Sequence, residues 1–229
     1  MNTQIINESL AVRILSIVDK GLSKGLGNPV AGQMCVEAAV CFAMGLPHSD
    51  NPPCVGAAFR AVKIRLNDAN WSSDAARAAG MRELSIVQLG TDKLDQVEFA
   101  KRVALATIKE ILPIALKTAK LHSHAIACEQ VVDLIGGKAA ANAAAYAAAN
   151  ATPYAAYAAN AAAYAADATA YAADAADATA YAAANAAYAA ANAADAAVRD
   201  SVLSTAAKMI VRIAVQMGAE GAKFLHLCN

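Results

Sequence analysis

Through the first 136 residues the hydrophobic positions recur every three or four residues, the spacing that gives a helix one buried face. Over Glu8–Lys20, Leu10, Ile14, Ile17 and Val18 share such a face. The stretch Gln33–Leu46 is apolar almost throughout and stops at Gly45 and Pro47, so it reads as a helix buried on most sides. Over Cys54–Asn67 the pattern turns Phe59, Val62 and Leu66 inward. Ser72 or Ser73 caps the next helix, which runs to Leu89 and closes at Gly90. Asp92 caps a longer one, with Asp95 in its first turn and a kink at Pro113. A last one spans His124–Ile135 and ends at Gly136-Gly137. Between them lie a glycine loop (Lys20–Pro29) and a tight polar loop (His48–Pro53). No segment alternates with the period of two that a half-buried strand needs, so the pattern predicts an all-α fold.

The pattern then inverts. From Ala139 to Ala197, 39 of 59 residues are Ala, and all seven tyrosines of the chain lie there. Alanine is the best helix former, because it loses no side-chain entropy. Pro153 is the only breaker and suits the first turn of a new helix, with Thr152 as its N-cap. One helix from Tyr154 to Met217 would be about 96 Å long at about 1.5 Å per residue, so a break or a partner chain is expected. Gly218 and Gly221 break its end. Tyr157, Asn160, Tyr164, Asp167, Tyr171 and Asp174 step by three and four, and after a slip at Asp177 the stripe resumes through Tyr181, Asn185, Tyr188, Asn192 and Asp195. This is a coiled-coil spacing with the polarity reversed. Either the stripe faces solvent while the methyl face packs on neighbouring helices, or it is also a recognition surface of rigid tyrosines and aspartates. The expected neighbours of the methyl face are residues 92–120 and 198–217, or a second copy of the chain.

Charge changes the picture modestly. The tract carries four aspartates and no basic residue, against a net +2 before it and +2 after it. No basic block exists, so nucleic acid is not an expected partner. The uncharged run before Asp167 contains Pro153 and asparagines among weakly apolar alanines, which argues against a membrane span. Thr169 and Thr179 point about 80° apart on a helix, so they form no flat ice-binding row. Met1–Leu10 lacks a basic signal-peptide start, and five cysteines at irregular spacing read as reduced thiols, so a cytoplasmic protein is expected.

Candidate chemistry is sparse. Cys35 stands where a glycine-containing loop enters a helix, and His48 and Asp50 follow in the next loop. A helix N-terminus lowers a thiol pKa, so Cys35, His48 and Asp50 form a candidate nucleophilic site. The competing reading makes Cys35 a core residue. Cys35, Cys41, His48 and Cys54 lack the close pairing of a structural zinc site. His124 and Cys128, four apart on one helix, are a workable metal-ligand pair without a local second pair. Glu37 lies in the apolar helix and needs a partner, for which Lys63 and Arg65 are the candidates. Asn67 and Asp68 end a helix before Trp71, where capping and loop hydrogen bonding are expected.

Two resemblances add to this reading. The run GQMCVEAAVCFAMGLPHSDNPPCV with RLND (Arg65–Asp68) is similar to a helical region of uncharacterised bacterial and phage-encoded proteins. Met34, Cys35, Glu37, Ser49, Asp50, Pro52, Cys54, Asn67 and Asp68 carry that likeness, and it implies a fold without an activity. The second half, from HAIACEQVVDLIGGK through the AAAYAAA and AAYAADA repeats to AAVRDSVLS, resembles bacterial immunity proteins thought to neutralise a co-encoded toxin. That resemblance implies a binding protein with no catalytic residues to carry over.

The expectation is therefore an all-α chain. It has a helical globular region over residues 1–137 and an Ala-rich tract with a C-terminal helix over 138–229, packed as a hairpin or bundle. The expected function is non-enzymatic binding in the cytoplasm, immunity-like or in bacterium–phage conflict, with no cofactor. The contact stripe would be Tyr157, Tyr164, Asp167, Tyr171, Asp174, Tyr181 and Tyr188. Its partner would be another protein with a basic surface, or a second copy. The alternatives are a cysteine hydrolase using Cys35 and His48, and a structural or assembly module.

Overall fold

The computed structural model describes residues 6–148, 153–168, 185, 192 and 196–229. Among them the fold is all-α, with helices and no strand; Gly27 and Met34 form one isolated bridge. Helix α1 spans Glu8–Val18 and is capped by Asn7, whose side chain accepts from the Leu10 amide at 2.9 Å. Leu10, Ile14, Ile17 and Val18 are all buried, as their spacing requires. Helix α2 (Val36–Ala43) is buried over its first six residues, Glu37 included. Helix α3 (Ala57–Asn67) turns Phe59, Val62, Lys63 and Leu66 into the core. Helix α4 (Asp74–Val87) is capped by Ser73, and Gly90 beyond it takes the left-handed conformation.

The next element differs from its sequence reading at its start. The cap of helix α5 (Gln96–Ala106) is Asp95, which accepts from the Val97 and Glu98 amides; Asp92 sits in a short 3-10 turn before it. Asp95 wins because its carboxylate reaches two free amides of the first turn. The chain continues without interruption through a π-helical segment (Thr107–Ile111) into helix α6 (Leu112–Thr118). Pro113 cannot donate to the carbonyl four residues back, and the wider π turn just before it absorbs that mismatch.

Helix α7 (His122–Glu129) is shorter than expected, and Gly136-Gly137 does not end it. Both glycines lie inside helix α8 (Leu134–Ala148), whose start is fixed by Asp133: its carboxylate accepts from the Gly136 amide at 2.8 Å. Gly137 is used for contact rather than for a turn, since a Cβ there would meet Ile108 Cδ1 at 3.1 Å. Helix α9 (Pro153–Ala168) begins at the expected proline and folds back along α8 as a hairpin. It also packs on α5 and α6.

Helix α10 (Ala196–Gln216) returns to α4 and α5, and a 3-10 segment (Glu220–Cys228) lies on α4 and α1. The Gly221 amide donates to Leu89 O at 2.8 Å, and a Cβ on Gly221 would fall 2.1 Å from the Ile86 carbonyl oxygen. One hydrophobic core thus spans residues on both sides of position 137, from Ile14, Leu84 and Phe99 to Ala159, Leu203 and Ile210. At its centre Phe59 and Phe99 pack with ring centroids 5.1 Å apart.

Candidate functional site

The first-turn residue Glu37 and the mid-helix residue Lys63 meet inside the core. Lys63 Nζ lies 2.9 Å from Glu37 Oε1, with both side chains shut off from water. The same ammonium donates to Gln88 Oε1 and stands 5.9 Å from the Phe59 ring centroid. Gln88 in turn donates to Ser85 O at 2.8 Å. Arg65, the other candidate partner for Glu37, is two residues further on and so points to the opposite side of α3. There it donates to Asn185 of the Ala-rich tract. Burial pushes the Glu37 carboxyl above its ordinary range and the Lys63 ammonium below its own, and each charge holds the other partly back.

Cys35 caps α2: its Sγ accepts from the Ala38 amide at 3.4 Å. Burial, and then the neighbouring Glu37 charge, push this thiol up to about 12. The helix N-terminus acts in the expected direction through two backbone amides, but desolvation outweighs it. His48 does not join Cys35. Its Nε2 pairs with Gly27 O at 3.0 Å, fastening the two loops together. No hydrogen bond links Cys35, His48 and Asp50 among the described residues.

Asp50 does share a cavity with Cys35. A space of about 30 Å³ is lined by Cys35, Glu37, Asp50, Asn67, Asp68 and the Gly25 loop. Asn67 and Asp68 hold its walls together as their positions suggested. Asn67 Oδ1 accepts from the Val36 amide at 3.3 Å, its Nδ2 donates to Ser23 O at 2.9 Å, and Asp68 Oδ1 accepts from the Gly25 amide at 2.7 Å. Sequence reasoning did not join Glu37 to Cys35 and Asp50. The signal for it was a lysine on the apolar stripe of α3.

At the other candidate centre, Cys128 is fully buried with its thiol pushed up to about 11 by desolvation. The His124 ring is half-buried beside Ser123. Among the described residues no three His, Cys, Asp or Glu side chains converge to hold a metal ion. A cleft of about 390 Å³ lies between α4 and α10 and is lined by Trp71, Gly80, Glu83, Ser204, Lys208 and Cys228.

On the described part of the tract, burial follows the stripe. Ala155, Ala158, Ala159, Ala162 and Ala163 are buried, whereas Tyr154, Tyr157 and Asn160 face out. On α8, Ile135, Ala139, Asn142 and Tyr146 form an exposed face, and Tyr146 is 84 % accessible. Tyr146, Asn142, Ala145 and Asn160 border a groove of about 300 Å³ between α8 and α9. Of the other expected stripe residues, the side chains of Tyr164 and Asp167 lie outside the described residues, as do Tyr171, Asp174, Tyr181 and Tyr188 entirely.

No family model matches the chain, and comparison with curated proteins and with solved structures returns no significant match. No helix among the described residues is long and apolar enough to cross a membrane.

Proposed function

We propose that the protein is a non-enzymatic, cytoplasmic binding protein of the immunity-like kind, used in conflict between bacteria or with phage. Its recognition surface is the tyrosine-bearing outer face of the Ala-rich hairpin. The observation that carries this reading is Tyr146. It is exposed at 84 % beside a groove floored by Ala145 and flanked by Asn142 and Asn160. A tyrosine has few rotamers to lose and a large amphipathic surface to bury, which suits it to anchor a contact. The tract's four aspartates favour a basic partner protein.

A hydrolase needs an accessible thiolate. Cys35 is a buried capping thiol held protonated, so nothing in its setting favours that alternative. The test is co-expression with the products of the adjacent open reading frames, followed by calorimetric titration of the partner recovered. Tyr146→Ala with Tyr157→Ala should weaken binding at least tenfold while the far-UV circular dichroism stays unchanged. Undiminished binding by the double variant would remove the hairpin as the contact surface. A neighbour set of assembly genes and no partner would leave the structural module.

A further inference from the structure

We propose that the cleft between α4 and α10 binds a free α-amino acid with an apolar side chain. At about 390 Å³ the cleft is of the size that takes one small organic molecule. Trp71, Ala207 and Val211, all buried, give it an apolar lining. It shares no lining residue with the groove beside Tyr146, so it is a site separate from the proposed contact surface.

The charges on the lining select the ligand. Arg82 and Lys208 are balanced there by Glu83 and Asp200. Two of these four are already engaged. Arg82 donates to the Asp19 carboxylate at 2.7 and 3.1 Å, and Asp200 accepts from the Ser72 amide at 2.9 Å and from its hydroxyl. Glu83 on α4 and Lys208 on α10 remain, one of each sign on the two walls, and neither has an ion-pair or hydrogen-bond partner among the described residues. An ion of a single sign gains from one wall and is repelled by the other, whereas a zwitterion gains from both. Lys208 receives the carboxylate and Glu83 the ammonium. The Ser204 hydroxyl, one helical turn before Lys208 and also without a partner among the described residues, is a further donor for the carboxylate. The apolar side arm then leaves water against the Trp71 and Val211 side of the cleft.

The site carries its own reporter, because Trp71 is the sole tryptophan and lines the cleft. L-Leucine titrated into the full chain at constant ionic strength should shift the tryptophan emission saturably, with a dissociation constant of about 0.1–5 mM. N-acetyl-leucine lacks the ammonium and leucinamide lacks the carboxylate, and each should bind about tenfold more weakly. Glycine, without the side arm, should not saturate the signal. Lys208→Gln should weaken leucine about tenfold and leave leucinamide unchanged, and Glu83→Gln should weaken leucine about tenfold and leave N-acetyl-leucine unchanged. Neither side chain holds the fold together, so both variants should keep the wild-type circular dichroism and thermal midpoint. Absence of a saturable shift with leucine up to about 50 mM would overturn the proposal. So would equal binding of leucine and its two blocked forms, or leucine affinity that survives both substitutions.

Discussion

The edge of the Trp71 indole fills the space where a side chain on Gly80 would begin: a Cβ there would lie 2.2 Å from Trp71 Cη2. The ring cannot swing away freely, because its Nε1–H donates to Leu66 O at 2.9 Å. Gly80 is in the interior of α4, where replacing glycine by alanine ordinarily stabilises by about 1 kcal/mol. The clash should reverse that sign. Gly80→Ala is expected to cost about 1–3 kcal/mol net in urea unfolding. Trp71 is the only tryptophan, so its fluorescence should shift in the folded variant.

The Glu37–Lys63 pair should behave as a unit. Lys63→Met leaves a carboxylate stranded in the core and should cost about 3–5 kcal/mol. Adding Glu37→Leu to it removes the stranded charge and should restore most of the loss, which a double-mutant cycle by urea unfolding would measure. Additive losses would mean that the two side chains do not share one electrostatic account.

Stability should fall at alkaline pH through the buried thiols. The Cys35 thiol is raised from 9.0 to about 12, so the folded chain keeps a proton that the unfolded chain gives up. Its contribution is complete below pH 9.0 and is lost as pH rises toward about 12. Cys41 and Cys128, both raised to about 11, act in the same direction. Lys63 is lowered and acts in the opposite direction, but it is common to wild type and variant. Between pH 8 and pH 10 the urea midpoint of Cys35→Ser should therefore fall less than that of the wild type.

The two faces of α9 should respond oppositely to substitution. Ala158 and Ala162 are fully buried, so a leucine at either should overpack and cost about 1–3 kcal/mol. Tyr157 is half exposed and Tyr146 more so, and their replacement by alanine should change the thermal midpoint by no more than about 0.5 kcal/mol allows. Equal tolerance on both faces would mean that α9 does not pack as a buried helix.

Much of this arrangement is legible in the chain. Lys63 occupies the stripe of Phe59, Val62 and Leu66, so a helical repeat alone places it inward, and Glu37 in an apolar helix announces the charge it must meet. What the repeat could not supply is that α2 and α3 lie side by side, since Lys63 comes 26 positions after Glu37. The glycines at 136 and 137 misled for a related reason. A glycine pair reads as a stop, yet Asp133 caps the helix just ahead of it and Ile108 needs the room.

The sequence by itself determined the all-α class, the inward faces of α1 and α3, and the division of α9 over its described residues into a methyl side and a tyrosine side. These follow from local spacing and intrinsic propensity, which act within a few residues. Only the tertiary structure decided that Cys35 caps α2 and that burial pushes its thiol up to about 12, because desolvation depends on everything packed around it. It alone also brought Glu37, Asp50 and Asp68 to one cavity and returned α10 to the first half of the chain. Contacts between distant segments depend on how whole faces fit together, and that fit is not written in any one stretch of the chain.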